Sequence, residues 1–143
     1  MKDEKEAQKL YLELRMLTNH IKEMQQRMQL VEEQSMHLVE VMESLDELSQ
    51  VKAGTRALVP ISEGIFFPAA VAEGDSLIVN VGAEVGVRKN VHDTKMLLSS
   101  KLDELRHHRD ELAQELERAV SAAREAEGQL MVMLKDEQGK EST

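Results

Sequence analysis

Apolar residues recur at alternating steps of four and three in two long stretches of the chain. The first stretch has one polar interruption, Ser35, and its apolar positions are Leu10, Leu14, Leu17, Ile21, Met24, Met28, Val31, Leu38, Met42 and Leu45. The second has polar interruptions at Lys95 and Arg109, and its apolar positions are Val91, Leu98, Leu102, Leu105, Leu112, Leu116, Ala119, Ala123, Ala126, Leu130 and Met133. An apolar repeat of seven residues is typical of coiled coils, so each stretch is predicted to be one coiled-coil helix.

The segment from Arg56 to Lys89 interrupts this pattern. It holds both prolines, both phenylalanines and four of the seven glycines. Its apolar runs are ALVPI and IFFPAAVA, separated by SEG, and SLIVNV and VGVRK, separated by GAE. Short apolar runs joined by turn sequences predict two β-hairpins. Pro60 and Pro68 cannot donate a backbone hydrogen bond, so each favours a sheet edge or a strand end.

Capping signals divide the chain into four parts. Asn90 followed by Asp93 is a plausible helix start, and Gly54 and Gly139 lie where helices could stop. The predicted parts are an N-terminal helix at 1–53, a double hairpin at 54–90, a C-terminal helix at 91–134 and a disordered polar tail at 135–143.

Two arrangements of the helices suit these bounds. The helices are equally long, at about 45 residues each, so they can fold back on each other as an antiparallel coiled-coil hairpin with the chain termini together. The alternative is a parallel homodimer of two continuous helices, which the prolines and glycines of the central segment disfavour. The fold class is therefore mostly α, with a small β region between two antiparallel helices.

Composition limits the function classes. Of 143 residues only three are aromatic, which leaves little material for a globular core, and 27 acidic residues outnumber 18 basic ones. Acidic helices repel phosphate backbones, so nucleic acid is a poor candidate partner. The absence of cysteine removes disulfides and thiol chemistry and suits a reducing compartment. No signal-peptide run or membrane span is recognised, so we expect a cytoplasmic protein with no membrane partner.

No catalytic, cofactor or metal site is predicted. VGAEVG, at 81–86, lacks the spacing of a nucleotide-binding loop and is read as a hairpin turn. His107 and His108 are spaced to pair with Glu111 and Glu104, but a solvated helix face is the simpler interpretation. Arg109, at a seam position, is expected to extend its side chain to water. The chain is therefore not expected to be an enzyme.

The two hairpins are predicted to be an assembly module. Isolated hairpins of this size are marginally stable, and their apolar faces and free edges require strands from other chains. The residues expected to make these subunit contacts are Val59, Ile61, Ile65, Phe67, Val71, Leu77, Val79, Val81, Val85 and Val87.

The central segment, LVPISEGIFFPAAVAEGDSLIVNVGAEVGVRKN at 58–90, resembles the β region of alpha-class prefoldin (GimC) subunits. The two heptad helices extend this resemblance over nearly the whole chain, and the two hairpins are similar to those of the alpha class. The resemblance implies a cytosolic hexamer of two alpha and four beta subunits, whose hairpins merge into a β-barrel. It further implies an ATP-independent chaperone that holds unfolded clients at the coil tips and transfers them to a group II chaperonin.

Apolar residues near both chain ends are the predicted client contacts. The sequence LMVMLK places five apolar residues in a row, of which a two-helix coil can bury only some, and methionines adapt to varied apolar shapes. The predicted contacts are Leu10, Tyr11, Leu14, Leu130, Met131, Val132, Met133 and Leu134. These residues could instead only close the end of the coil.

A second functional hypothesis stays open. The same module could assemble a coiled-coil spacer or filament that binds no clients.

Overall fold

A computed structural model of the chain describes residues 2–73 and 75–141. Helix α1 spans Lys2–Ser49 and helix α2 spans Val91–Glu141. Four strands lie between them in sequence: β1 at Arg56–Ser62, β2 at Ile65–Ala70, β3 at Leu77–Asn80 and β4 at Gly86–Lys89. The predicted fold class, two long helices with two small antiparallel hairpins between them, is confirmed.

The chain forms two compact units. The first combines the described residues up to Glu33 with those from Arg106 onward, and the second is Gln34–Leu105. In the first unit, α1 and α2 are antiparallel: Nε2 of His20 lies 3.3 Å from Oε1 of Glu115, and residues 7–12 lie beside Leu130 and Leu134. The buried residues of this unit lie at the predicted seam positions and are Met24, Val31, Leu112, Ala119 and Ala126.

The second unit contains both hairpins and the helix ends that flank them. Nζ of Lys95 donates to Oδ1 of Asp46 at 2.5 Å, which joins the start of α2 to the end of α1. Val91 and Leu102 are buried, as is the Thr94 hydroxyl, which donates to the Asn90 carbonyl at 2.8 Å. Lys95, a polar interruption of the predicted seam, is thus satisfied by a carboxylate on the facing helix.

Arg109, the second interruption, lies in the first unit and is half-exposed. Its guanidinium lies 3.5 Å from the exposed carboxylate of the adjacent Asp110. The side chain thus reaches water instead of burying its charge in the seam, as the sequence predicts.

Capping at the start of α2 confirms one predicted boundary. Oδ1 of Asn90 accepts a hydrogen bond from the Asp93 amide at 2.7 Å, the geometry of a helix N-cap. Asp75, from the segment before β3, adds a second acceptor, because its Oδ1 lies 3.0 Å from the Val91 amide nitrogen. Two of the amides that a helix start leaves unpaired therefore have side-chain partners.

The other end of α2 differs from the prediction. The sequence suggested a helix stop at Gly139 and a disordered tail at 135–143, but α2 continues to Glu141. A single glycine costs a helix about 1 kcal/mol, which flanking residues of good helix propensity can offset. Ser142 and Thr143 lie outside the described residues.

The first hairpin, β1–β2, turns through Glu63 and Gly64. Both residues have positive φ, 49° and 80°, the combination of a two-residue type I′ turn. Ser62 pairs with Ile65 and Val59 with Phe67, with a register shift between Pro60 and Ser62. The second hairpin, β3–β4, pairs Val79 with Val87.

Both prolines lie at the free edges of the first hairpin. The Val71 amide donates to the Thr55 carbonyl at 2.9 Å, which makes that cross-strand position a hydrogen-bonded one. Because such positions alternate along an antiparallel pair, Pro60 and Pro68 fall at the non-bonded positions, with their nitrogens directed outward. The prolines therefore cost the hairpin none of its own hydrogen bonds, as the sequence predicts for edge positions.

We expect Gly86→Ala to destabilise the second hairpin by about 1 kcal/mol, since a Cβ there would lie 2.8 Å from Cγ2 of Ile78. Urea unfolding followed by circular dichroism measures the change. Gly128→Ala is the matched control: no atom beyond its chain neighbours and the adjacent backbone of its own helix lies within 4 Å of its Cβ position, and alanine there should stabilise α2 by up to about 1 kcal/mol. An Ile78→Ala background should reduce the Gly86→Ala cost, and an undiminished cost would show that this contact is not its cause.

Candidate functional site

The first unit carries an apolar groove between the N-terminal part of α1 and the C-terminal part of α2. The groove has a volume of about 550 Å³. It is called here the terminal groove, and its lining residues are Ala7, Gln8, Tyr11, Leu12, Leu130 and Leu134. Apart from Gln8 and the hydroxyl of Tyr11, the described lining residues are apolar, so the groove can bind apolar side chains through the hydrophobic effect.

The groove exists because the coil seam is incompletely closed here. Seam residues Met24 and Ala126 are buried, but Leu10, Leu14, Leu130 and Met133 are only half-buried. In a two-helix coil no third helix covers the edges of the seam. Near the helix ends there are also no further helical turns against which the seam side chains can pack. Apolar surface from both helices therefore stays accessible.

The predicted client contacts divide into two groups. Leu10, Leu14, Leu130 and Met133 are half-buried in the seam, whereas Tyr11, Met131, Val132 and Leu134 are exposed. This division agrees with the expectation that a two-helix coil buries only part of the LMVMLK row. Tyr11, Leu130 and Leu134 line the terminal groove together. That these residues bind clients stays a prediction.

Sequence reasoning missed Leu12, the most exposed leucine of the groove. Leu12 lies off the heptad seam, as Tyr11 does, and an apolar residue at an off-seam position was the signal that could have identified it. Ala7 and Gln8 were missed as well, because neither residue type is distinctive in a helix. Their place in the groove follows only from the approach of α2.

A polar depression of about 420 Å³ lies near the same helix ends. Its lining residues are Asp3, Met133, Lys135, Asp136, Glu137 and Gly139. Carboxylates and a lysine ammonium line it, in contrast to the apolar terminal groove. This depression adds charged groups around the helix ends, beside the apolar surface of Met133.

The residues predicted for assembly form an accessible surface, called here the hairpin surface. Seven of them are exposed: Val59, Ile61, Ile65, Phe67, Val81, Val85 and Val87. The other three, Val71, Leu77 and Val79, are half-buried. Burial alternates along β3, since Leu77 and Val79 are half-buried while Ile78 and Asn80 are exposed. The subunit contacts themselves stay a prediction.

Apolar residues on the opposite face of the strands were not named as subunit contacts. Leu58, Phe66 and Ile78 are all exposed. The first hairpin is therefore apolar on both faces, with Val59 and Phe67 on one and Leu58 and Phe66 on the other. A continuous apolar run in both strands was the available signal, because it leaves no polar face.

One of the two histidines noted in the sequence, His107, contacts a carboxylate on the helix surface. Nε2 of His107 lies 3.1 Å from Oε1 of Glu111, one turn along α2, and both side chains are mostly exposed. Within the described residues, no group of three or more His, Cys, Asp or Glu side chains is arranged to hold a metal ion. A search of the same residues finds no helix long and apolar enough to cross a membrane.

Comparison with known protein families accounts for this architecture. A family model described as Prefoldin subunit matches residues 5–136, nearly the whole chain. The chain belongs to the prefoldin family. It is an alpha-class prefoldin subunit, as its double hairpin suggests and its curated relatives support. Prefoldin membership makes it a chaperone-type subunit.

Curated prefoldin relatives are distant in sequence but cover most of the chain. The alpha subunit of Methanococcus vannielii is 22% identical over 125 residues, which are 87% of this chain and 84% of the relative. The alpha subunit of Methanoculleus marisnigri is 29% identical over 103 residues, covering 72% and 68%. Prefoldin subunit 5 of Arabidopsis thaliana is 28% identical over 83 residues, covering 58% and 55%.

A solved prefoldin structure has the same fold. The cryo-EM structure of filamentous PFD from Methanocaldococcus jannaschii superposes with a TM-score of 0.70 at 16% identity. The match covers 78% of this chain and 92% of that chain. The two chains therefore share one fold.

Proposed function

We propose that the chain is the alpha subunit of a cytosolic, ATP-independent holding chaperone. In this proposal the terminal groove binds apolar segments of unfolded proteins, and the hairpin surface joins the chain to a second alpha and four beta subunits in a β-barrel. The held clients pass to a group II chaperonin. The subunit itself catalyses no reaction and needs no cofactor.

The terminal groove is the observation that carries this proposal. It presents apolar side chains from two helices at an accessible surface, which suits unfolded segments that expose similar side chains. Closing about 100 Å² of apolar surface per contact contributes roughly 2 to 3 kcal/mol, before ordering costs. One groove therefore binds weakly and releases quickly. Several grooves acting together raise the effective affinity while each contact stays reversible, so holding needs no nucleotide.

The hairpin surface supports the assembly part of the proposal. Two separate two-stranded sheets expose apolar side chains and free edges, and such sheets are marginally stable on their own. Strands from sister subunits would cover these side chains and continue the sheets. An assembly of this kind also allows several terminal grooves to bind one client at the same time.

A filament is the second candidate function. The fold neighbour described above is a filamentous prefoldin, and the hairpin surface could join identical subunits as readily as different ones. In that case the chain is a structural element, and the terminal groove need not bind clients.

Native mass measurement of the full-length chain, with and without a co-expressed beta-class prefoldin subunit, separates the two candidates. We expect a closed hexamer with the partner, and an open-ended series of masses from this chain alone would favour the filament. Removing residues 1–14 and 130–143 should then abolish suppression of client aggregation while the hexamer stays intact. Undiminished protection by the trimmed hexamer would refute client binding at the helix ends.

A further inference from the structure

Two exposed methionines flank the terminal groove. Met16 lies four residues after Leu12 on α1, and Met131 lies three residues before Leu134 on α2. Residues three or four apart are neighbours on one helix face, so Met16 lies beside Leu12 and Met131 lies beside Leu134. Met16 is 72% exposed and Met131 is 56% exposed. A bound apolar segment that extends past the groove leucines would meet these side chains.

The same exposure makes both thioethers accessible to oxidants in solution. Met24, in the buried seam of the same unit, is 2% exposed, so its sulfur is shielded by packed side chains. Oxidation converts a flexible apolar methionine into a polar sulfoxide. At Met16 and Met131 this change would replace apolar surface beside the groove while leaving the seam intact.

We propose that Met16 and Met131 are an oxidation site through which peroxide reversibly weakens client binding at the terminal groove. The proposal rests on the holding function proposed above and adds a mode of control to that same site. Methionine sulfoxide reductases convert the sulfoxide back to methionine, so the chaperone would regain client binding after reduction.

The chemical step requires only hydrogen peroxide. A sulfur lone pair attacks one peroxide oxygen, the S–O bond forms and the O–O bond breaks. The departing hydroxide takes the proton of the transferred oxygen and leaves as water. Sulfur loses two electrons, and the peroxide gains them.

Met36 and Met96 provide a matched control within the chain. They are exposed to a similar extent, 66% and 62%, but they belong to the second unit and neither lies within four residues of a groove residue. They should oxidise as readily as Met16 and Met131. Their oxidation should not alter client binding, because their surface is not next to the groove.

The experiment uses the full-length chain co-purified with a beta-class prefoldin subunit, treated with hydrogen peroxide at a dose that leaves Met24 intact. Peptide mass mapping follows each sulfoxide, and light scattering of a denatured client follows holding. Three chains are compared: wild type, Met16→Leu with Met131→Leu, and Met36→Leu with Met96→Leu. The partner's own methionines are the same in all three, so differences among them report this chain.

We expect Met16 and Met131 to oxidise at least about tenfold faster than Met24. Holding by wild type and by the Met36, Met96 variant should fall several-fold after treatment, and a reductase should restore it. Holding by the Met16, Met131 variant should not change on treatment, relative to the same variant before peroxide is added. Equal sensitivity of all three chains, or oxidation of Met24 as fast as that of Met131, would overturn the proposal. Failure of the untreated assembly to hold any client would overturn the holding function as well, and is seen before peroxide is added.

Discussion

Replacing Leu12 and Leu134 with serine is expected to weaken binding of a denatured client by about 30-fold. The two leucines are 59% and 50% exposed, so a client can still cover much of their surface. Burial of the exposed surface of each leucine by a client contributes about 1 kcal/mol to the binding free energy. A change of 1.4 kcal/mol is a tenfold change in affinity. Fluorescence anisotropy with a labelled, permanently unfolded client measures the binding, and light scattering measures the loss of aggregation suppression.

Leu30→Ser is the matched control for this double variant. Leu30 lies on α1 in the same unit and is 56% exposed, but it does not line the terminal groove. Its replacement should leave client binding within about twofold of wild type, because surface substitutions away from a site usually change free energies by less than 0.5 kcal/mol. Equal losses in the control and the double variant would mean that clients bind exposed leucines in general, and the groove would have no special role.

Replacing Val59 and Phe67 with aspartate is expected to abolish subunit assembly. These residues are cross-strand partners, so their side chains lie together on one face of the first hairpin. In an assembly that buries this face, two unpaired carboxylates would each cost several kcal/mol. Native mass spectrometry should therefore find free subunits in place of oligomers.

Two measurements make this second prediction decisive. Circular dichroism should show that the helices persist, since the substitutions lie outside both of them. Met36→Asp, at an exposed position of α1 outside the hairpins, should leave the oligomer unchanged. Assembly that survives both aspartates would exclude this face from the interface and direct attention to the opposite face, where Leu58 and Phe66 are exposed.

The secondary structure could be predicted from the sequence because it depends on short-range patterns. A seven-residue apolar repeat suits one structure only, and the seam positions it names are buried or half-buried as expected. The turn at Glu63 and Gly64 and the cap at Asn90 also involve residues within a few positions of each other. Local geometry decides such features, so the sequence is enough to place them.

The site was predicted less completely. Tyr11, Leu130 and Leu134 were named, but Leu12, Ala7 and Gln8 line the groove with them. A heptad repeat identifies the residues that are buried in the seam. It does not show which of the exposed residues belong to a binding site. The off-seam position of Leu12 is a weak signal, because exposed leucines occur singly on most proteins and only a neighbouring helix turns one into part of a groove. The length of α2 was misjudged for a related reason, since Gly139 weakens a helix without necessarily ending it.

The amino-acid sequence by itself determined the two helices, the two hairpins, the seam and the absence of thiol chemistry, because each follows from periodicity, turn propensity or composition. Only the tertiary structure decided which residues meet across the chain. The antiparallel pairing brings residues 7–12 to residues 130–134 and forms the groove, and it sets Asp46 beside Lys95. These contacts join residues about 50 to 120 positions apart in the sequence. Local conformational preferences do not determine which of these residues meet, whereas packing of the two seams does.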